Sequence, residues 1–209
     1  MIRNVFPPLC RHRLGEYHRY WDGLTVTSNA DYFRRWLFAF CSVHTTWEGN
    51  VAGYQALRDL AWLGDDGELR RRLCFARCGM HNNRARFITE FSEDFWAQPA
   101  GYSKLTLEPW WAFRDRLEAK ILGLGLAKTS FALEMIYPTA AEVACLDVHM
   151  LRLYTDNPLS ITPRKYREYE ADWLGRSEAI GHPPYVARMA WWDAQQGKEN
   201  SRYWSHCLE

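Results

Sequence analysis

The sequence has no run of about 18 consecutive apolar residues, the length that a membrane-spanning helix requires. Residues 1–14 contain three arginines and two prolines but no apolar stretch of the kind that a secretory signal needs. Charge is also nearly balanced, at +1 from 26 basic and 25 acidic residues, so it does not by itself indicate a nucleic-acid partner. We therefore expect a cytoplasmic protein with no membrane partner. Separately, we expect a monomer.

The six cysteines form no recognisable metal-binding pattern. Cys74 and Cys78 are four residues apart, but no second pair with matching spacing follows, which argues against zinc. No cluster of four cysteines lies near the C-terminus, which argues against an iron–sulfur cluster. Cys41 and Cys145 lie inside apolar runs, where a reduced core cysteine is usual. The sequence predicts neither a metal nor a cofactor.

No segment alternates apolar and polar residues as a strand would, and there is no internal repeat. Instead, apolar residues recur at helical spacing, which predicts an all-α fold. Residues 1–29 are expected to be irregular, with Ser28 or Asn29 capping the first helix and Asn82 or Asn83 capping a later one. Helices are predicted near residues 31–41, 46–63, 68–77, 84–96, 107–122, 128–137, 148–154, 163–180 and 183–197.

Tryptophan is the unusually abundant residue, at 11 of 209. Most of these side chains must lie in the core, because aromatic rings are large apolar bodies. One or two remain as candidates for stacking on a nucleic-acid base.

A glycine turn joins two of the predicted helices. Gly123 and Gly125 are two residues apart, and glycine permits the positive φ angles and close approach that a tight turn requires. The backbone N–H groups of Gly123, Gly125 and Ala127 would face a phosphate at the start of the second helix. Such a contact anchors DNA without reading its sequence.

Asp147 precedes a short apolar helix and is well suited to be its N-cap. It lies 147 − 128 = 19 residues beyond Lys128, which begins the helix after the glycine turn. One helix and one loop separate the two residues, so the chain returns Asp147 towards the turn. The pair is therefore more informative than either residue alone.

The hairpin, the lysine after it and the segment Leu146-Asp147-Val148-His149-Met150 resemble the helix-hairpin-helix DNA glycosylase superfamily, most closely the 8-oxoguanine DNA glycosylases. The resemblance covers about residues 30–197 and includes Leu37–Ser42, Arg84–Phe87 and Trp191–Trp192. It implies a two-lobed helical domain over residues 30–209, with an active-site cleft between the lobes. Residues 1–29 would form an N-terminal extension that packs on this helical core.

The resemblance implies an enzyme that flips a damaged or modified base out of double-stranded DNA and cleaves its N-glycosidic bond, with an AP-lyase step. Lys128 would be the amine that attacks the sugar C1′. Asp147 would stabilise the positive charge that develops on the sugar, or activate the nucleophile. His149, Arg84 and Arg86 would contact the DNA backbone. The base pocket would be formed by the loop residues His44, Thr45, Thr46, Trp47, Glu48 and Asn50.

The sequence departs from the family pattern in two places. The family turn reads G-x-G-x-K, whereas Lys128 comes one residue later, and no proline precedes Gly123. A second hypothesis is therefore a bacteriophage thymidine-hypermodification enzyme, an amino-acid:DNA transferase acting on pyrophosphorylated 5-hydroxymethyluracil. It would take a free amino acid as co-substrate and work in the host cytoplasm. A third is a non-catalytic DNA-binding module, against which the Lys128–Asp147 pair argues.

Overall fold

The computed structural model describes residues 11–196, and every regular element in that range is a helix. The all-α prediction is confirmed. A 3-10 helix, Pro99–Tyr102, lies between α5 and α6. The α-helices are α1 Arg11–Asp22, α2 Asn29–Cys41, α3 Trp47–Leu57, α4 Asp66–Phe75, α5 His81–Ala97, α6 Trp110–Lys120, α7 Leu126–Ile136, α8 Val148–Leu151, α9 Pro163–Ala179 and α10 Pro184–Gln196.

Side-chain caps begin several of these helices. The Ser28 hydroxyl accepts the Asp31 N–H at 3.1 Å and starts α2, as one of the two predicted caps. Asp65 and Thr162 cap α4 and α9 in the same way. The predicted asparagine caps of α5 are wrong. That helix starts earlier, after Met80, which has left-handed φ 45° and provides no side-chain cap.

The expectation that residues 1–29 are irregular is also wrong for α1. Leu14, Tyr17 and Trp21 recur on one face of this helix and are buried, and the Trp21 ring lies 4.6 Å from that of Tyr185 in α10. The Tyr17 hydroxyl donates a hydrogen bond to buried Asp193, also in α10. The two prolines that suggested irregular chain precede the helix. Cys10 and Cys207 lie outside the described residues.

The chain divides into two compact units. Within the described range, unit 1 contains residues 11–25 and 133–196, and unit 2 contains residues 26–132. The division falls inside α7, after Ala132. The domain boundaries given above, and the cleft between two lobes, stay predictions.

Aromatic side chains form the core of unit 2. Phe33 and Trp36 of α2 pack against Phe91 of α5, and the Phe33 and Phe91 rings are parallel with centroids 5.3 Å apart. Trp36 and Trp62 are completely or almost completely buried. In unit 1 the corresponding buried aromatics are Trp21, Trp173 and Tyr185. The prediction that most tryptophans are core residues is confirmed for these positions.

No helix within residues 11–196 is long and apolar enough to cross a membrane.

Candidate functional site

The glycine turn between α6 and α7 has the predicted helix–turn–helix form. Gly123 has φ +90°, and a Cβ at this position would lie 2.3 Å from the Phe87 ring of α5. Glycine is therefore required here both by the backbone angle and by the lack of space. Ile121 and Leu124 are buried and fix the turn to unit 2.

Gly125 begins α7. Its carbonyl oxygen accepts the N–H groups of Lys128 and Thr129, both at 3.0 Å. The first N–H groups of a helix have no acceptor within the helix, so those at the start of α7 are available to a ligand. A Cβ at Gly125 would meet nothing within 4 Å, and the residue is exposed. The position of Gly125 thus leaves room for a phosphate; the contact itself stays a prediction.

Lys128 lies in the first turn of α7 and is half-buried. Its ammonium nitrogen is 5.4 Å from the centre of the Phe131 ring, one turn further along the same helix. The single-residue delay after the glycines therefore leaves Lys128 next to the hairpin, on an aromatic surface.

The Phe38 ring of α2 connects this surface to the predicted base-pocket loop. Its centroid is 6.0 Å from that of Phe131 in α7 and 6.0 Å from that of Trp47 at the start of α3. The Tyr54 ring packs edge-on against Phe38 at 5.4 Å. Trp47 and Lys128 thus lie at the two ends of one aromatic row within unit 2.

The loop between α2 and α3 presents polar side chains. His44 has φ +46° and is exposed, as are Thr46 and Glu48. The Thr46 hydroxyl caps α3 by accepting the Gly49 N–H at 3.1 Å. A Cβ at Gly49 would lie 2.4 Å from the Thr45 hydroxyl, so glycine lets that hydroxyl lie against the helix.

Asn50 is the buried member of this predicted pocket. Trp47 comes three residues before Asn50 and Tyr54 comes four residues after it, so the three side chains share one face of α3. Asn50 therefore lies on the side of α3 that packs towards Phe38. Its side chain is 5 % exposed, and its Oδ1 atom has no hydrogen-bond partner among the described residues. A buried amide oxygen without a donor is costly, so this atom is suited to receive a hydrogen bond from a ligand.

Arg84 does not lie where a DNA phosphate could reach it. Its side chain is 4 % exposed, and its guanidinium donates to the carbonyl oxygens of Phe40, Val43 and Cys78. The predicted DNA-backbone contact of Arg84 is therefore corrected to an internal one. It ties the C-terminal end of α2 to the loop before α5, and so supports the base-pocket loop that follows α2.

Arg86 has the opposite environment. Its side chain is 59 % exposed, and its guanidinium lies 4.9 Å from the centre of the Phe87 ring. Since Phe87 is the ring that packs against Gly123, Arg86 lies beside the glycine hairpin. Its nearest carboxylate, Glu90, is 3.9 Å away and is itself half exposed. A phosphate contact of Arg86 stays a prediction that this placement favours.

Asp147 is the N-cap of α8, as predicted. One carboxylate oxygen, Oδ1, accepts the N–H groups of both His149 and Met150 at 3.0 Å. The side chain is half-buried. His149 is exposed, and its ring packs on Trp192 of α10 with centroids 4.8 Å apart. Both residues belong to unit 1.

Buried side chains hold the irregular segment that leads into Asp147. The Ala144 N–H donates to Glu170 at 2.8 Å, and the Leu146 N–H donates to the Tyr166 hydroxyl at 3.0 Å. Between them, the Cys145 N–H donates to Glu134 at 3.1 Å. None of these three side chains was predicted from the sequence.

Glu134 also forms a bidentate ion pair with Arg188 of α10. The Nε atom of Arg188 is 3.1 Å from both carboxylate oxygens, and one Nη atom is 2.5 Å from Oε2. Burial acts to lower the pKa of Arg188, but the charge and hydrogen bonds of Glu134, together with Cys145 and Tyr185, raise that pKa above its ordinary value. A charged residue inside an apolar helix, as at Glu134 and Arg188, is the sequence signal that could have revealed this pair.

The cysteines give no metal site in the described part of the chain. Cys74 is exposed, whereas Cys78 is buried with its sulfur 3.8 Å from the Cys41 carbonyl oxygen. A hydrogen bond with the Cys41 side chain and, more weakly, the charge of Arg84 lower the pKa of the Cys78 thiol to about 7, against the opposing effect of burial. No group of three or more potential ligands for a metal occurs among residues 11–196.

No protein-family model matches the chain. A curated relative, the 8-oxoguanine DNA glycosylase/AP lyase of Metallosphaera sedula, is 28 % identical over 176 residues, 80 % of this chain and 83 % of the relative. The 8-oxoguanine DNA glycosylase of Thermotoga maritima is a structural neighbour, with TM-score 0.70, 22 % identity and coverage of 93 % and 92 %. Another is the Methanocaldococcus jannaschii 8-oxoguanine glycosylase/lyase, solved with a DNA 15mer containing 8-oxoguanine (TM-score 0.73, 19 % identity, coverage 96 % of both chains).

The chain has the helix-hairpin-helix glycosylase fold. The resemblance to the 8-oxoguanine DNA glycosylases that was drawn from the hairpin and the Asp147 segment is confirmed. The glycosylase fold extends over nearly the whole chain and includes α1, which the sequence resemblance left out.

Proposed function

We propose that this protein is a DNA glycosylase that removes a damaged or modified base from double-stranded DNA and then cleaves the strand as an AP lyase. The observation that carries the proposal is Lys128 in the first turn after the Gly123 hairpin, in a chain that has the glycosylase fold. The curated relative is named as an 8-oxoguanine DNA glycosylase/AP lyase, so 8-oxoguanine is the first base to test.

In the proposed reaction, the neutral Lys128 amine attacks C1′ of the target nucleotide. A bond forms between Nζ and C1′ while the glycosidic C1′–N bond breaks, and the base leaves with that electron pair and takes up a proton. The amine gives one proton to the departing base and one to the ring oxygen O4′ as the C1′–O4′ bond breaks and the sugar opens to an imine. Loss of a proton from C2′ then forms the C2′–C3′ double bond, and the C3′–O bond breaks to release the 3′ phosphate. Asp147 supplies negative charge where the sugar becomes positive.

The hairpin and Arg86 form the proposed DNA-backbone anchor. The N–H groups at the start of α7 follow closely after Gly123, which packs on the Phe87 ring, and the exposed guanidinium of Arg86 contacts the same ring. Both kinds of group bind phosphate oxygens without regard to sequence. In unit 1, exposed His149 is a further candidate for a backbone contact.

The proposed base pocket is centred on Trp47 and Asn50. Half-buried Trp47 offers an aromatic face for stacking, and Asn50 offers an unpartnered amide oxygen. A flipped base is held by these two kinds of contact, stacking and hydrogen bonds to its edge. Asn50→Ala should therefore weaken excision of the true substrate by about tenfold or more, with little change in affinity for undamaged duplex.

The test is a panel of duplex oligonucleotides, each with one 8-oxoguanine, one uracil or one modified thymine, under single-turnover conditions. The expected result is release of one base by the wild-type protein, lost in Lys128→Ala and retained in the surface control Lys165→Ala. No abasic product from any duplex would overturn the proposal. A mass gain on pyrophosphorylated 5-hydroxymethyluracil DNA with a free amino acid would establish the transferase hypothesis instead.

A further inference from the structure

We propose that the buried Glu134–Arg188 pair sets the position of Asp147 and affects base release only through Asp147. The inference rests on the proposed function for its kinetic test. It makes Glu134 and Arg188 positioning residues, not catalytic ones, because neither reaches the surface.

Within residues 11–196 no strand lies beside the segment before Asp147. The three successive N–H groups of this segment, at residues 144–146, are bound by side chains that come from α7 and α9. These hydrogen bonds fix the position and direction of the backbone as it enters α8. Asp147 follows this segment directly, so any shift of the segment also moves the Asp147 carboxylate.

Arg188 in turn fixes the position of Glu134. The Oε1 atom of Glu134 accepts both the Cys145 N–H and the Arg188 Nε–H, while Oε2 accepts from the Arg188 fork. Arg188 is 1 % exposed, so the pair cannot exchange its hydrogen bonds for water. The Glu134 carboxylate is therefore held in place by Arg188, and it in turn holds the segment before Asp147 through the Cys145 N–H.

Stability alone does not account for such an arrangement. Replacing a buried ion pair with apolar side chains of similar volume is often neutral or stabilising, because desolvating two charges is expensive. Unlike apolar side chains, the ion pair fixes the orientation of the backbone at Cys145, two residues before Asp147. A reacting group that is misplaced by about 1 Å loses on the order of 100-fold in rate.

Glu134→Gln is the main test variant. Glutamine keeps one oxygen that can accept the Cys145 N–H, but its amide nitrogen would face Arg188, which has only donors. We expect the single-turnover rate of base release to fall about tenfold, with DNA affinity unchanged. In an Asp147→Asn background the same change should cost less than about twofold. Arg188→Lys keeps the positive charge but cannot form the bidentate hydrogen bonds, so it should slow base release to a similar extent.

The matched control is Glu108→Gln. Glu108 forms the same kind of bidentate pair with Arg116, at 2.7 Å and 2.8 Å, but holds a turn before α6. This variant should release base at the wild-type rate. An equal slowing by Glu134→Gln with Asp147 present and with Asp147 replaced would show a general structural role and overturn the inference, as would no slowing at all.

A second measurement needs no enzymatic activity. In Glu134→Gln, amide hydrogen exchange should accelerate about tenfold at Cys145 and at His149 and Met150, whose N–H groups bind Asp147. Amides of α2 should keep their protection. If the wild-type protein releases no base, the proposed function fails while this measurement still decides the inference. Unchanged exchange at all three residues would overturn it.

Discussion

At the scale of the residue, the two hairpin glycines have different reasons to be glycine. Gly123 combines φ +90° with a ring where its Cβ would be, whereas Gly125 has open space around it. Gly123 is thus a structural requirement of the turn. Gly125 is free to accept a side chain as far as the protein is concerned, and only a bound phosphate would need the space.

Alanine substitutions separate these two roles. Gly123→Ala should lower the free energy of unfolding by about 2 kcal/mol or more, because it adds backbone strain and a clash with Phe87. Gly125→Ala should change it by less than about 1 kcal/mol while weakening binding to duplex DNA. Urea denaturation and fluorescence anisotropy measure the two quantities. Equal loss of stability in both variants would contradict this assignment.

Arg84 and Arg86 likewise have different roles although both are arginines. They are two residues apart in one motif, yet one binds carbonyl oxygens in the interior and the other is exposed beside the hairpin. Helical spacing explains the contrast, because positions i and i+2 face different sides of α5. The sequence motif alone could not distinguish them.

Paired substitutions test this contrast. Arg84→Met should cost about 3 kcal/mol of stability, because it leaves buried carbonyl oxygens without donors. Arg86→Ala should leave stability nearly unchanged but weaken DNA binding and reduce the slope of log K against log salt by about 1. If Arg86→Ala leaves that slope unaltered, Arg86 does not contact a phosphate.

At the scale of the element, two of the predicted helix caps were confirmed. Ser28 and Asp147 cap helices because each has an oxygen that reaches the N–H groups of the first turn. The start of α5 was not predictable, since no side chain caps it. The side chains that hold the Asp147 segment come from positions 134, 166 and 170, and no local pattern connects residues so distant in sequence.

The turn before α6 gives a pH-dependent prediction. Hydrogen bonds from Arg116 lower the pKa of Glu108, so the folded state favours the ionised carboxylate. This stabilisation is present above the unfolded pKa of about 4.3 and is lost as pH falls through the lower folded value. Glu108→Gln should therefore cost about 1 kcal/mol at pH 7 and almost nothing near pH 3. A constant difference across this range would be inconsistent with the ion pair.

At the scale of the whole molecule, helical periodicity and the glycine hairpin predicted the fold over most of the chain. The sequence did not predict α1, because the apolar face of α1 packs against α10, which lies more than 150 residues away along the chain. Near-zero net charge says little about DNA binding, because phosphate contacts depend on local groups such as Arg86. The identity of the base depends on the shape of the base pocket, which we propose to lie around Trp47 and Asn50 and which no linear pattern encodes.

The central claim is that Lys128 forms a covalent bond with the target nucleotide, and borohydride trapping tests it most directly. Wild-type protein incubated with 8-oxoguanine duplex and borohydride should give a covalent adduct. Trypsin would then release a peptide spanning residues 121–152, because the modified lysine blocks cleavage after Lys128. Lys128→Ala should give no adduct. Base release without any trapped adduct, or an adduct mapped to another lysine, would contradict the account.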